Sequence, residues 1–187
     1  MSRRSPLGPA AAVAAFALLA ASCAAGGPSD GWHTLERGDL SVDVMDSWTE
    51  PDLAGQHTGM FDVVLQDTDD FDAEDTGVRL IATSDYTDSF PPVTPSHDAR
   101  DALEYVVVMD PFGMAHPELP DPVRVDGRDG DEVWRQDVPR GPEGDMTYLW
   151  AAHDEASGRT VVVGLAGRAV TGDMVKAVDR SIAVVKQ

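Results

Sequence analysis

Residues 147 to 167, TYLWAAHDEASGRTVVVGLAG, indicate the fold class of the domain. Two runs rich in β-branched and aromatic residues, Thr147 to His153 and Thr160 to Gly167, flank the polar segment Asp154 to Arg159. Because runs of this kind bounded by Asp, Ser and Gly are typical of paired strands, the stretch predicts an antiparallel hairpin. A sheet is therefore expected to form the framework of the domain.

A second hairpin is predicted near the start of the domain, where Trp32 to Glu36 and Leu40 to Met45 flank a turn at Arg37 to Asp39. The second strand alternates in character, with apolar Leu40, Val42 and Val44 on one face and polar Ser41 and Asp43 on the other. Strict alternation predicts that one face of this strand is buried.

Four further segments have strand character. Val123 to Val125 and Glu132 to Val138 flank an Asp/Gly-rich turn and predict another hairpin, whereas Met60 to Gln66 and Val78 to Ser84 are separated by a longer acidic segment. The acids of the Asp/Gly-rich turn are Asp126, Asp129, Asp131 and Glu132, and a tight turn accounts for them without a metal.

Two amphipathic helices are predicted. The central helix has Thr94 as N-cap and Pro95 at its first position, ends at Asp110-Pro111, and has a core stripe of Ala99, Ala102, Leu103, Val106 and Val107. The C-terminal helix is capped by Thr171, with Asp173 in its first turn and Lys186 in its last, and its stripe is Val175, Val178, Ile182 and Val185.

Hairpins in series predict an antiparallel sheet, and an amphipathic helix must cover an apolar surface. The expected fold class is therefore α+β, with both helices packed on the sheet. Residues 32 to 187 have the length of a single domain with a core of its own. Apart from Cys23 the chain has no cysteine, so no internal disulfide is available to the domain.

The N-terminus carries the parts of a secretory signal peptide in residues 1 to 22: Arg3 and Arg4, an apolar stretch from Ala10 to Ala21, and small residues before Cys23. The segment Leu19 to Ser22 followed by Cys23 resembles a lipobox. We therefore predict that Cys23 receives a diacylglyceryl group with palmitate-type acyl chains, becomes the first mature residue, and attaches the protein to the extracytoplasmic side of the cell membrane.

Two alternative interpretations of this segment are less favoured. A membrane-spanning helix needs about 20 apolar residues, and the run is shorter and rich in alanine. An ordinary cleaved signal peptide would give Cys23, the only cysteine of the chain, no role. The opening Ser2 to Leu7 also resembles a twin-arginine export signal, with Pro6 where Phe is usual, so the export route stays open between the general secretory and twin-arginine systems.

Residues 23 to 31 are small, Gly-rich and include Pro28, which predicts a flexible tether. Removal of residues 1 to 22 takes away two arginines and leaves 12 basic against 33 acidic side chains, a formal charge of −21. Phosphate backbones and anionic lipid head groups repel such a domain, so nucleic acid is excluded as a partner and the lipid is expected to supply the membrane attachment.

The order of these elements resembles the Mog/PsbP-like superfamily and related actinobacterial envelope lipoproteins. The segments that carry the resemblance are Gly38 to Val42 leading into Asp46-Ser47-Trp48, the central helix, the strand Val161 to Gly167 and the helix ending at Asp179 to Ile182. Where such domains usually carry Pro-x-x-Trp, this chain has Met45-Asp46-Ser47-Trp48. The resemblance implies an accessory, protein-binding subunit rather than an enzyme.

No chemical motif assigns a reaction. The acidic loop Asp67 to Asp75 offers oxygen ligands for Ca²⁺, but the sixth and twelfth positions counted from Asp67 hold Asp72 and Val78 instead of Gly and Glu. A solvated loop is the expected alternative. The consecutive Ser96-His97-Asp98 predicts helix capping rather than a catalytic triad. The histidines have no zinc-site spacing, so neither a metal nor a cofactor is expected; they are His33, His57, His97, His116 and His153.

The tryptophans leave one functional alternative open. Trp48, Trp134 and Trp150 are expected to pack in the core, or else to line a cleft for a small apolar ligand. The primary hypothesis is a non-enzymatic, lipid-anchored accessory or protein-binding lipoprotein of the cell envelope. The alternative is a carrier or sensor of a small apolar molecule or lipid.

Overall fold

A computed structural model describes residues 30–53, 58, 60–69, 76–86, 98–109, 119–140 and 145–186. The predicted lipidation site Cys23, the signal peptide and nearly all of the tether lie outside these residues. The predicted helix cap Thr94-Pro95, most of the acidic loop, and His57, His97 and His116 also lie outside them.

The described chain forms nine strands and two α-helices. The strands are β1 (Trp32–Arg37), β2 (Leu40–Met45), β3 (Val63–Gln66), β4 (Arg79–Thr83), β5 (Val123–Asp126), β6 (Glu132–Arg140), β7 (Asp145–Asp154), β8 (Arg159–Ala166) and β9 (Ala183–Val184). The helices are α1 (Ala99–Met109) and α2 (Gly172–Ser181), and a 3₁₀ turn at Arg128–Gly130 joins β5 to β6.

Every strand pair is antiparallel, which confirms the α+β class with antiparallel strands in its coarse form. The strands form two sheets rather than the single sheet expected. The larger sheet has the order β3-β4-β8-β7-β6-β5, and the smaller sheet has the order β1-β2-β9. Residues 147 to 167 supply most of β7 and β8, and these two strands occupy the middle of the larger sheet.

The six-stranded sheet is covered on both faces, which explains why β8 reads as a continuous apolar run. On one face, α1 packs against Val64, Ile81, Leu149 and Val162 through its buried residues Ala99, Ala102, Leu103 and Val106. On the other face, α2 and the smaller sheet enclose a core that includes Leu40, Val42, Leu80, Trp150, Val163 and Val178. The two helices therefore cover opposite faces.

The predicted start of the central helix is wrong. The helix begins at Ala99 instead of Pro95, and the carboxylate of Asp98 accepts a hydrogen bond from the backbone N–H of Asp101 at 2.8 Å. Asp98 satisfies one of the free N–H groups of the first turn, as an N-cap residue does. The predicted core stripe is buried apart from Val107, which is partly buried.

The C-terminal helix begins as predicted but ends early. The Thr171 hydroxyl accepts a hydrogen bond from the N–H of Met174 at 3.3 Å, and α2 stops at Ser181. The next residues form β9, which pairs with Leu40 and Ser41 of β2. Lys186 is therefore not in a last helical turn, because residues 183 and 184 pair with β2 as a strand instead of continuing the helix.

The predicted buried face of β2, with Leu40, Val42 and Val44, is confirmed, and Ser41 and Asp43 on the other face are buried as well. Arg128 of the 3₁₀ turn covers them: its guanidinium lies 2.8 Å from the Asp43 carboxylate and 3.3 Å from the Ser41 hydroxyl. The backbone N–H of Asp43 also donates to the Ser181 hydroxyl at 2.9 Å. The Asp/Gly-rich turn thus packs across the face of β2 that carries Ser41 and Asp43.

Candidate functional site

A polar depression in the described part of the molecule holds about 740 Å³. It lies at one end of the six-stranded sheet, where β6 begins, β7 ends and the chain leaves β9. Its lining is Arg124, Gly130, Asp131, Glu132, His153, Asp154, Glu155, Ala156 and Lys186. Four of these side chains are acids, so the depression is a candidate site.

Asp131 is a buried acid of the depression, with 1% of its side chain exposed. Its carboxylate accepts a hydrogen bond from the backbone N–H of Val184 at 2.7 Å and lies 3.6 Å from the Lys186 ammonium. Burial raises the pKa of Asp131 above the ordinary value of 3.8, and the Val184 N–H and Lys186 oppose that rise. This carboxylate therefore fastens β9 to the start of β6.

Three other polar side chains of the depression, Asp154, Glu132 and His153, also have partners within the protein. The Asp154 carboxylate accepts a hydrogen bond from the backbone N–H of Ser157 at 3.0 Å, and hydrogen bonding from Ser157 lowers the pKa of Asp154. Glu132 accepts from the Trp134 indole at 2.7 Å, and the His153 ring lies 2.9 Å from the Thr160 hydroxyl. These acids hold turns and strand ends together.

No group of three or more His, Cys, Asp or Glu side chains among the described residues is arranged to hold a metal ion. Asp67 of the acidic loop accepts hydrogen bonds from the N–H groups of Gly77 and Val78, each at 3.1 Å. Asp69 accepts from the Thr49 hydroxyl at 2.9 Å. These two described acids of the predicted loop therefore act as backbone and side-chain acceptors, and the Ca²⁺ question for the remaining acids lies outside the described residues.

Asp131 gives a stability prediction with a defined sign. Asp131→Ala is expected to lower the free energy of unfolding by about 1 to 2 kcal/mol at pH 7, because the buried Val184 N–H loses its acceptor. Asp131→Asn keeps an acceptor and removes the buried charge, so it is expected to be at least as stable as the parent at pH 7. Urea unfolding of residues 23 to 187 carrying Cys23→Ser, followed by tryptophan fluorescence, measures both.

The pH dependence separates charge from hydrogen bonding. A raised pKa means that the folded state holds the Asp131 proton more tightly than the unfolded state, so the cost of ionising it appears as the pH rises above 3.8. The stability of Asp131→Asn relative to the parent should therefore increase with pH from that value and level off above the folded pKa. A difference that stays constant from pH 4 to pH 7 would contradict the buried-charge argument.

The tryptophans lie on different faces of the six-stranded sheet. Trp150 is fully buried in the core beneath α2, where its indole N–H donates to Asp179 at 2.7 Å. Trp48 is buried in the same core and its ring contacts Trp32 edge-on at 6.1 Å. Trp134 packs on the α1 side, with the Arg100 guanidinium 5.4 Å from its ring. Trp134 and Trp150 therefore do not line a common cleft.

Three exposed apolar side chains on α1 were not singled out from the sequence. Tyr105, Val108 and Met109 are 37%, 75% and 53% exposed, and we call them the α1 patch. Their spacing of three and four places them together on the surface of the last helical turns. The sequence shows that these three residues have helical spacing next to the core stripe. It does not show how wide the buried face of α1 is, so it does not show that they are exposed.

Comparison with protein-family models and with curated proteins gave no match. Neither helix in the described ranges is long and apolar enough to cross a membrane.

Proposed function

We propose that this protein is a lipid-anchored, non-enzymatic accessory lipoprotein of the cell envelope that binds a protein partner through the α1 patch. Its anchor is the lipid on Cys23, and its domain is of the Mog/PsbP-like kind. The exposure of Tyr105, Val108 and Met109 on one helical surface is the observation that carries the binding role.

The three apolar side chains of the α1 patch are exposed, whereas most of the core stripe of the same helix is buried. α1 packs on the sheet through Ala99, Ala102, Leu103 and Val106, and the α1 patch lies outside this buried set. Adjacent exposed apolar side chains are typical of interaction surfaces, whereas single ones are ordinary. In a chain with a mature charge of −21, an apolar patch is also a site where a partner can approach without pairing charges.

The tether limits where that partner can be. Eight residues separate Cys23 from Trp32, the first residue of β1, and an extended chain spans about 3.3 to 3.6 Å per residue. Nine Cα–Cα steps join Cys23 to Trp32, so the first strand lies within about 32 Å of Cys23. A partner is expected among envelope proteins whose exposed parts lie at that height above the bilayer.

Three of the four acids of the depression support a role in structure rather than in catalysis. Asp131, Glu132 and Asp154 each accept a hydrogen bond from a group of the same chain. Such groups fix β9, Trp134 and the β7–β8 turn in place. Binding rather than bond-making chemistry is the function that this geometry favours.

Site-specific photo-crosslinking in living cells tests the binding proposal. A photoreactive amino acid at Val108 is expected to give one reproducible adduct with an envelope protein, and the same probe at Asp173, which is 92% exposed on α2, should not give it. Met109→Glu should abolish the Val108 adduct. No adduct at Val108, or the same adducts from both positions, would overturn the proposal.

Membrane attachment is tested separately with Cys23→Ala. Because the acidic domain has no electrostatic attraction to anionic lipid and two acyl chains are needed for firm attachment, the variant is expected to lose lipid labelling and to leave the membrane fraction. Metabolic labelling with a fatty-acid probe and cell fractionation measure the two effects. A Cys23→Ala protein that still carries label and sediments with membranes would show that the anchor lies elsewhere.

A further inference from the structure

β5 is the outer strand of the six-stranded sheet and pairs only with β6 among the described strands. An edge strand presents one row of backbone N–H and C=O groups that another strand can pair with. Val123, Arg124 and Asp126 are exposed, and Val125 is partly buried against the core beneath α2. This edge is therefore open on the described surface.

The side chains of β5 carry opposite charges on one face of the strand. Arg124 and Asp126 are two residues apart, so they point to the same face of the sheet. In the described part of the chain, neither has an ion pair or a side-chain hydrogen bond, although other arginines at this end of the molecule are paired: Arg128 with Asp43 and Arg159 with Asp39. The strand thus offers one unpaired cation and one unpaired anion.

The sequence of β5 selects a single register for pairing with its own copy. A symmetric antiparallel pair is centred on one residue, which then lies opposite the same residue of the second copy. A centre at Arg124 or at Asp126 places like charges opposite each other, which is destabilising. A centre at Val123 places Arg124 opposite Pro122, which has no N–H to donate.

Only a centre at Val125 satisfies both charges. In that register Arg124 lies opposite Asp126 of the second copy, and this pair occurs twice because of the symmetry. Val125 meets its own copy, and the exposed Val123 lies opposite Gly127, which has no side chain. Oppositely charged and β-branched residues directly across from each other are the pairs that stabilise antiparallel strands.

We propose that two copies of this protein pair through β5 in an antiparallel manner centred on Val125, joining their six-stranded sheets into one continuous sheet. The proposal goes beyond partner binding through α1, since α1 and β5 are different surfaces. Pro120 and Pro122 precede β5 and confine the pairing to the short strand itself. The resulting dimer is weak and reversible, as suits a short strand pair.

The net charge of the chain does not prevent this pairing at physiological salt. Two copies of −21 repel each other over long distances, but charges separated by more than about 8 Å are largely screened at 0.15 M ionic strength. Opposite residues in an antiparallel pair have Cα atoms only about 4.5 to 5.5 Å apart, so the Arg124–Asp126 contacts remain effective. Confinement of lipid-anchored copies to one membrane would raise their local concentration further.

Disulfide cross-linking of Val125→Cys tests the register. The Cα separation of about 4.5 to 5.5 Å expected at the two-fold axis falls within the range of about 4.4 to 6.8 Å that a disulfide spans. The full-length protein purified at 0.15 M salt is oxidised and run on a non-reducing gel. The wild-type protein is the control for any dimer that forms through Cys23, its only cysteine.

Val123→Cys is the matched control, because it lies on the same strand and face and is 44% exposed. In the proposed register the two copies of residue 123 lie four residue positions apart along the strands, beyond disulfide reach. We expect at least a tenfold higher yield of dimer from Val125→Cys than from Val123→Cys or wild type. Equal yields from the two variants, or no dimer from Val125→Cys, would overturn the proposal.

Charge exchange tests the pairing independently of the disulfide geometry. Added to Val125→Cys, either Arg124→Asp or Asp126→Arg places like charges opposite each other and should lower the dimer yield at least fivefold. Mixing these two variants restores both opposite-charge pairs and should restore the dimer, which also shows that both variants are folded. A mixture that cross-links no better than either variant alone would contradict the Arg124–Asp126 pairing. Neither readout depends on the lipid or on the α1 partner, so its failure is distinct from failure of the proposed function.

Discussion

Asp179→Ala is expected to lower the free energy of unfolding by about 3 kcal/mol. One carboxylate oxygen of Asp179 accepts a hydrogen bond from the indole of the fully buried Trp150 at 2.7 Å, and the other lies 2.6 Å from the Arg135 guanidinium. Only 18% of the side chains of Asp179 and Arg135 is exposed. Removal of Asp179 leaves a buried donor and a partly buried cation without this partner, and each loss is costly.

The pKa of Arg135 reflects the same arrangement. Burial opposes the charge of Arg135, but Asp137 and Asp179 together outweigh it and hold its pKa above the ordinary value. Arg135 keeps Asp137 as a partner at 2.7 Å in the variant, which is why we expect a loss near 3 kcal/mol and not the upper end of the range for a broken buried pair.

Urea unfolding of residues 23 to 187 with Cys23→Ser provides the measurement. Asp173→Ala is the matched control on the same helix, since its side chain is 92% exposed and its loss should cost no more than about 0.5 kcal/mol. Asp179→Asn retains an acceptor for Trp150 and is expected to fall between the parent and Asp179→Ala. An Asp179→Ala variant as stable as Asp173→Ala would show that this contact does not join α2 to the sheet.

Gly167→Ala is expected to cost about 3 kcal/mol, through the backbone instead of a side-chain contact. Gly167 follows β8 with φ at 136°, a conformation that L side chains rarely adopt. A Cβ at this position would overlap the carbonyl oxygen of Gly77 and lie 2.9 Å from the Cα of Val78. Because the obstructing atoms are backbone atoms, β4 and β8 would have to separate at this point.

Gly172→Ala is the control for the same unfolding measurement. Gly172 opens α2, and a Cβ there meets no atom within 4 Å. Gly172→Ala is therefore expected to leave the stability unchanged or to raise it by up to about 1 kcal/mol, because alanine loses less backbone entropy on helix formation. Equal effects of the two substitutions would argue against a close approach between Gly167 and Gly77.

The elements with strong local patterns were predictable from the sequence. The hairpin of β7 and β8 follows from two β-branched runs around a Gly-containing turn, and the start of α2 follows from Thr171. The start of α1 was not predictable from the sequence, because Thr94-Pro95 and Asp98 are both good helix starts and the local pattern does not rank them. The end of α2 depends on the open edge of β2, which captures Ala183 and Val184 from far along the chain.

The candidate site was less predictable than the fold for a related reason. In the sequence, Asp131 is one of several acids in an Asp/Gly-rich turn. Its distinguishing contact, the hydrogen bond from the Val184 backbone N–H, joins it to a residue far along the chain. The separation of Trp134 and Trp150 depends on register: Trp134 lies opposite Ala151, so Trp150 points to the other face. Periodicity within one strand does not determine the register between two strands.

The pairing of β2 with β9 has a consequence for the order of folding. The Asp43–Ser181 hydrogen bond that accompanies it joins residues 138 positions apart, and closing a loop of that length costs about 4 kcal/mol of chain entropy. Such distant contacts slow folding, because the entropy is lost before the contacts form. The smaller sheet can close only after residues 181 to 184 have been synthesised. We therefore expect the opening hairpin to lack its native cover on a nascent chain until the last strand has emerged from the ribosome.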